Sequence, residues 1–236
     1  MKKGIICFFL SVPLFMMAQT QEKYSSWSSL IIDYKLSDNF YLKNEAHFRR
    51  TKFLSDWQQI LLRPSFHYKY NETVDFAIGY TYSRNYRNTR NFNENDAWEQ
   101  MQLSHKSNKS SFKHRFRLEQ RFIEKIVLTP NGNYDIEGIN FKMRFRYRFT
   151  WSMPLFKITE DKSIGITAFD EIWLNTDKGI VPKQINQNWF YAGLSYPLFK
   201  KASIGIGFLD AFAPVGNSNH NFINNSILQT TIKYHL

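Results

Sequence analysis

Residues 139–151 read Ile-Asn-Phe-Lys-Met-Arg-Phe-Arg-Tyr-Arg-Phe-Thr-Trp, a two-residue alternation that a β-strand sorts into opposite faces. Phe141, Met143, Phe145, Tyr147, Phe149 and Trp151 fall on one face, and Lys142, Arg144, Arg146 and Arg148 on the other. Residues 112–122 repeat the pattern, with Phe112, His114, Phe116, Leu118 and Phe122 opposing Lys113, Arg115, Arg117, Glu119 and Arg121. In a water-soluble sandwich the apolar face looks into a core and the polar face into solvent. A transmembrane barrel inverts this, with apolar side chains toward lipid and polar ones toward the lumen. The alternation fits both arrangements, and the N-terminus decides between them.

Lys2 and Lys3 form a short positive segment, followed by the apolar stretch Ile5 to Phe15, which Ser11 and Pro13 interrupt. The stretch is too short to span a bilayer, and small Ala18 precedes a plausible cleavage point at Ala18-Gln19. Residues 1–18 therefore read as a secretory signal peptide and 19–236 as one exported domain. Cys7 lies inside the signal, so the mature chain carries no cysteine for a disulfide, a thiolate metal site or a nucleophile. No later run of apolar residues is long enough for a transmembrane helix. Aromatics nevertheless make up 17% of the chain, at a mean hydropathy of −0.46. A lipid-facing barrel has this profile: every second residue is apolar or belongs to an interfacial aromatic girdle, and the rest are polar.

Strand-like runs recur from end to end, at about 27–36, 40–49, 58–70, 73–83, 97–106, 111–123, 139–151, 163–175, 188–196, 202–212 and 222–235. Tight turns are expected at Ser37-Asp38-Asn39 and Asn71-Glu72. Long polar connections are expected at 84–96, 124–138, 176–187 and 213–221, and short ones at 71–72, 107–110 and 197–201. Outer-membrane barrels sort their loops this way, with short periplasmic turns and longer external loops. The reading is an all-β, antiparallel up-and-down transmembrane barrel of about 10–12 strands with a closed or narrow lumen. Eleven runs are legible, whereas single-chain bacterial barrels have an even number, so twelve strands are expected, with ten as the alternative. Residues 19–26 could also return through the lumen. The final Ile232-Lys233-Tyr234-His235-Leu236 keeps apolar residues at alternate positions, as in the C-terminal signal read by barrel-assembly machinery.

Several segments together resemble the bacterial family called domain of unknown function 2490, common in Bacteroidota. They are the Trp27 strand followed by Leu36-Ser37-Asp38-Asn39-Phe40, Phe112–Phe122 with its Arg-x-Arg-x-Glu-x-Arg centre, and Arg144-Phe145-Arg146-Tyr147. Phe169-Asp170-Glu171-Ile172-Trp173-Leu174-Asn175 and Asn186-Gln187-Asn188-Trp189-Phe190-Tyr191-Ala192-Gly193-Leu194 complete the likeness. In the family an Arg usually follows the Asn of the last segment; Trp189 stands there instead and removes one expected lumen cation. The resemblance implies a small outer-membrane barrel and brings no assigned activity.

If the strands around 111–123 and 139–151 pair, then Arg115, Arg117, Arg121, Arg144, Arg146 and Arg148 crowd one lumen wall, with Glu119, Glu171 and Glu45 as counter-charges. Like charges that close must be paired or hydrated. The network therefore either stiffens a plugged barrel or lines a path for anions, since rings of Arg and Lys select negative solutes. The formal net charge is +11, or +9 without Lys2 and Lys3. No nucleic-acid motif accompanies it, and Arg84, Arg87 and Arg90 suit solvent or lipopolysaccharide phosphates better. His105 and Ser107 share a strand face, as an outer-membrane esterase would need, yet no acid stands ready to orient the imidazole. Asp170 and Glu171 point to opposite faces and cannot form a dyad. The histidines are scattered without metal-ligand spacing. The expectation is an outer-membrane barrel without catalytic residues, metal or cofactor, structural or passing narrow, anion-preferring solutes. Its partners would be outer-membrane lipid and lipopolysaccharide, the assembly machinery, and a protein bound through external loops. A lipid- or lipopolysaccharide-modifying enzyme and an accessory subunit of an outer-membrane complex are the alternatives.

Overall fold

The two-residue alternation is realised as eleven strands: β1 (Gln19–Lys35), β2 (Phe40–Thr51), β3 (Asp56–Lys69), β4 (Val74–Asn85), β5 (Phe92–Ser107), β6 (Ser110–Leu128), β7 (Tyr134–Lys157), β8 (Ser163–Thr176), β9 (Pro182–Phe199), β10 (Ala202–Pro214) and β11 (Asn221–His235). They come from a computed structural model that describes residues 19–159, 162–176, 182–214 and 221–236; the expected signal segment, 1–18, lies outside the described residues. Each strand pairs antiparallel with the next, and β11 returns to β1 to close the barrel. No open edge is left to template aggregation.

The closure corrects the expected even count. Strands that alternate in direction leave the first and the eleventh pointing the same way, so β1 and β11 meet in parallel, from Gln19↔Asn221 to Asp33↔His235. Residues 19–26 do not cross the lumen; they extend β1 along β11. The parallel ladder, whose slanted bonds are slightly weaker per residue, is supported by side chains. Ser29 Oγ lies 2.9 Å from Thr231 Oγ1, and Ser25 Oγ donates to Asn225 Oδ1 at 2.9 Å.

The long connections also come out shorter than expected. β4 continues to Asn85 and β5 begins at Phe92, with Arg84 opposite Asn93. β6 and β7 run on to Leu128 and from Tyr134, past a register shift between Glu124 and Ile126. β8 ends at Thr176 and β9 begins at Pro182, and β10 and β11 likewise extend to Pro214 and from Asn221. Ladder hydrogen bonds join backbone groups whatever the side chains, so polar runs rich in Asn and Arg can still pair.

Parity along each strand separates the faces. Leu62, Phe66, Ile78, Phe141, Phe190 and Phe208 are exposed on the outside, while Ser65, Thr81, Glu119, Arg146 and Glu171 are buried within. Water-soluble folds have the opposite polarity. The closest packing also lies inside: Trp27, Phe169, Trp173, Trp189, Tyr191, Leu209 and Ile227 form one cluster on the wall made by β1 and β8–β11. Gly79 belongs to this inner economy of space, because a Cβ there would fall within the indole of Trp98.

Candidate functional site: a charged lumen

β6 and β7 set their basic residues directly opposite one another, Arg115↔Arg148 and Arg117↔Arg146, with Glu119↔Arg144 as the next pair. Like charges at such positions repel, and two buried carboxylates resolve the conflict. Glu171, brought beside Arg148 by the β7–β8 register, is completely buried. It accepts from Arg115 Nη2 at 2.5 Å, Arg146 Nε at 2.8 Å and Arg148 Nη2 at 2.5 Å. Glu119 accepts from Arg144 Nε at 2.6 Å and Arg146 Nη1 at 2.7 Å. Arg146 thus bridges both carboxylates, which makes it the centre of the network. Arg117 stands 3.9 Å from Glu119 and hydrogen-bonds Gln100 instead, at 2.7 and 3.1 Å.

The remaining expected members lie further out. Arg121 pairs with Glu94 at 2.6 Å, a carboxylate absent from the expected set because it sits diagonally across the β5–β6 ladder, where Asp96 is the direct neighbour. Glu45 serves Arg63 at 3.2 Å and His47 at 3.0 Å, one strand pair away from the arginine ladder. Asp170 is exposed on the outer face, with Asn188 donating to it, while Glu171 points inward. His105 stacks on Phe112 at 4.9 Å, and no hydrogen bond joins it to Ser107.

An aromatic wall faces the arginines. The guanidinium of Arg146 lies 3.8 Å and that of Arg144 4.3 Å from the Trp173 ring centre. Arg148 covers Phe169 at 4.0 Å, Arg117 covers Trp98 at 3.8 Å and Arg49 covers Trp27 at 4.0 Å. Trp189, in the position of the missing cation, packs 4.4 Å from Trp173 and 5.3 Å from Trp27. Desolvated stacking of this kind is worth about 2 kcal/mol per contact. Parity held the signal for this wall: Trp173 shares a face with Glu171, and Trp189 with Gln187 and Tyr191.

Side chains do not fill the lumen. A cavity of about 800 Å³ remains, lined from Lys43, Lys113 and Lys233 near the 108–109 and C-terminal end to Arg49, Arg87 and Lys142 toward the other. Among the described residues, twelve Lys and Arg line it against three carboxylates, Glu45, Glu94 and Asp96. Arg49 Nε and Arg115 Nε, both on this lining, and Arg117 Nη1 are buried donors without a hydrogen-bond partner among the described residues.

The family model for "Protein of unknown function (DUF2490)" matches residues 24–221. The chain belongs to the DUF2490 family. Its match begins within β1 and ends at the first residue of β11, so it takes in the arginine ladder, both central carboxylates and the aromatic wall. No curated protein matches the sequence. Among solved structures, the NanC porin in a rhombohedral crystal form aligns with a TM-score of 0.48 at 9% identity, over 79% of this chain and 84% of that one.

Proposed function

We propose that this DUF2490 barrel resides in an outer membrane and gives small anions a narrow, selective passage through its lumen. The exposed apolar outer face is the surface that a hydrocarbon layer covers, and Tyr34, Tyr70 and Tyr234, exposed near one end, suit an interfacial girdle. The single observation carrying the solute preference is the imbalance of charge along the cavity: among the described residues twelve cations line it, against three lining carboxylates and Glu119 and Glu171 behind them.

Two populations of cations divide the work. Arg115, Arg144, Arg146 and Arg148 are anchored on Glu119 and Glu171 and hold the wall in place. Among the described residues, Arg49, Lys113 and Lys142 face the cavity without a carboxylate partner. Their field concentrates anions and repels cations. Proteoliposome uptake tests the proposal by comparing succinate with neutral erythritol. Succinate is expected to enter faster, with the preference reduced by Lys113→Glu; equal rates in both proteins would contradict it.

A further inference from the structure

Ser65 and His67 alternate on the inner face of β3, and the turn at 70–73 carries the chain back so that Asp75 lies on β4 opposite Lys69, one diagonal step from His67. His67 Nδ1 is 2.9 Å from Asp75 Oδ1, and His67 Nε2 is 3.1 Å from Ser65 Oγ. All three side chains are buried. Tyr41 fixes the assembly from β2, its hydroxyl donating to Asp75 Oδ2 at 3.1 Å and its ring stacked 4.3 Å from the imidazole. With Nδ1–H given to the carboxylate, Nε2 is left to accept from the Ser65 hydroxyl. The other acceptor in reach of that hydroxyl is the Lys43 carbonyl at 3.2 Å. Acid, imidazole and hydroxyl in this order form the arrangement that turns a serine into a nucleophile.

The surroundings suit the chemistry. Lys43, directly across from Ser65 on β2, and Arg63, one step along the same face, both line the lumen cavity. Arg63 is held by Thr81 and Glu45 and Lys43 lies 3.7 Å from Asp33, so the two set the charge of the lumen beside the triad rather than forming an oxyanion hole. Gly79 is the β4 neighbour of Ser65, and the Trp98 indole packs over it on that side. We infer that Ser65, His67 and Asp75 form a catalytic triad that hydrolyses small carboxylic esters bearing a negative charge. This goes beyond the passage function and does not rest on it.

Ser65 Oγ attacks the ester carbonyl carbon, and its proton moves to His67 Nε2. The tetrahedral adduct collapses with cleavage of the ester C–O bond, and Nε2 returns the proton to the departing alkoxide, which leaves as the alcohol. Water then attacks the acyl-Ser65 carbonyl while His67 takes its proton. The bond to Ser65 Oγ breaks, the proton returns to that oxygen, and the carboxylic acid is released.

The full-length barrel, shown to be folded by its heat-modifiable mobility, is treated with a fluorophosphonate and mapped by mass spectrometry. In parallel, it is assayed for hydrolysis of p-nitrophenyl hemisuccinate, a small ester that carries a free carboxylate. The expected result is an adduct on Ser65 and hydrolysis that Ser65→Ala abolishes and Asp75→Asn slows about 10²-fold or more. A folded wild-type barrel with no adduct at Ser65, or a Ser65→Ala protein that hydrolyses as fast as wild type, overturns the inference. Ser65→Ala removes a single oxygen, so the adduct map and this variant decide the matter even if Asp75→Asn does not fold.

Discussion

Replacing Glu171 by Gln keeps the shape of the side chain and removes the charge that three guanidiniums share. Arg115 Nη2 and Arg146 Nη2 both contact Glu171 Oε1, at 2.5 and 2.8 Å, so these two nitrogens lie within about 5 Å of each other. At that separation and an effective dielectric constant of about 20, their repulsion is about 3 kcal/mol. Arg148, held on Oε2 at 2.5 Å, adds a second uncompensated neighbour. Guanidiniums can swing toward the cavity and hydrate, which offsets part of this cost. The expected loss is therefore about 3–5 kcal/mol, the range for breaking a buried ion pair by neutralising one partner. Urea unfolding of the refolded barrel in detergent, followed by tryptophan fluorescence, reads it as a shift in midpoint at constant slope. Trp173 sits under Arg146 and reports on the same region. A loss below about 1 kcal/mol, the value typical of exposed pairs, would refute the reasoning, because Glu171 would then not be the counter-ion that holds the arginine wall together.

The parallel closure predicts a cross-link. Ser29→Cys combined with Thr231→Cys places two thiols where the hydroxyls now stand 2.9 Å apart, within the reach of a disulfide after small adjustment. Mild oxidation should join them within one chain, whereas failure to do so in the folded barrel would count against the β1–β11 register. Gly79→Ala drives a methyl into the Trp98 ring and should cost about 1–3 kcal/mol by overpacking, measured by the same urea titration. An unchanged midpoint would show that the lumen wall at Trp98 is looser than the packing implies.

The architecture is legible because a polar interior and an apolar outer face impose one rule on every strand. Arg144, Arg146 and Arg148 fall inward and Phe145, Tyr147 and Phe149 outward by parity alone, and the same rule puts Glu171 in the lumen and Asp170 outside. What stayed hidden depends on contacts between strands. An odd count with parallel closure is decided where residues 19–33 meet 221–235, at opposite ends of the chain, and no local pattern encodes that meeting. Glu94 escapes a reading of the sequence because its bond to Arg121 crosses the ladder diagonally. The aromatic wall stays hidden because nothing local in the sequence shows that Trp27, Trp173 and Trp189, on three separate strands, meet one another.

The same limit explains the Ser65 site. His105 and Ser107 have the same spacing as Ser65 and His67, and sequence alone cannot rank the two pairs. The difference is the acid, which arrives only through the turn at 70–73 and the register of β4. Arg84 and Asn93 teach a related lesson about loops: composition suggested an irregular segment, but backbone pairing extends the sheet through it.

The most direct test of the charged lumen is the reversal potential of the refolded barrel in a planar bilayer under a tenfold potassium chloride gradient. A potential displaced toward the chloride equilibrium value, and moved back toward zero by Lys113→Glu, is the predicted result. A potential displaced toward potassium, or a folded barrel that never conducts, would contradict an anion-preferring passage.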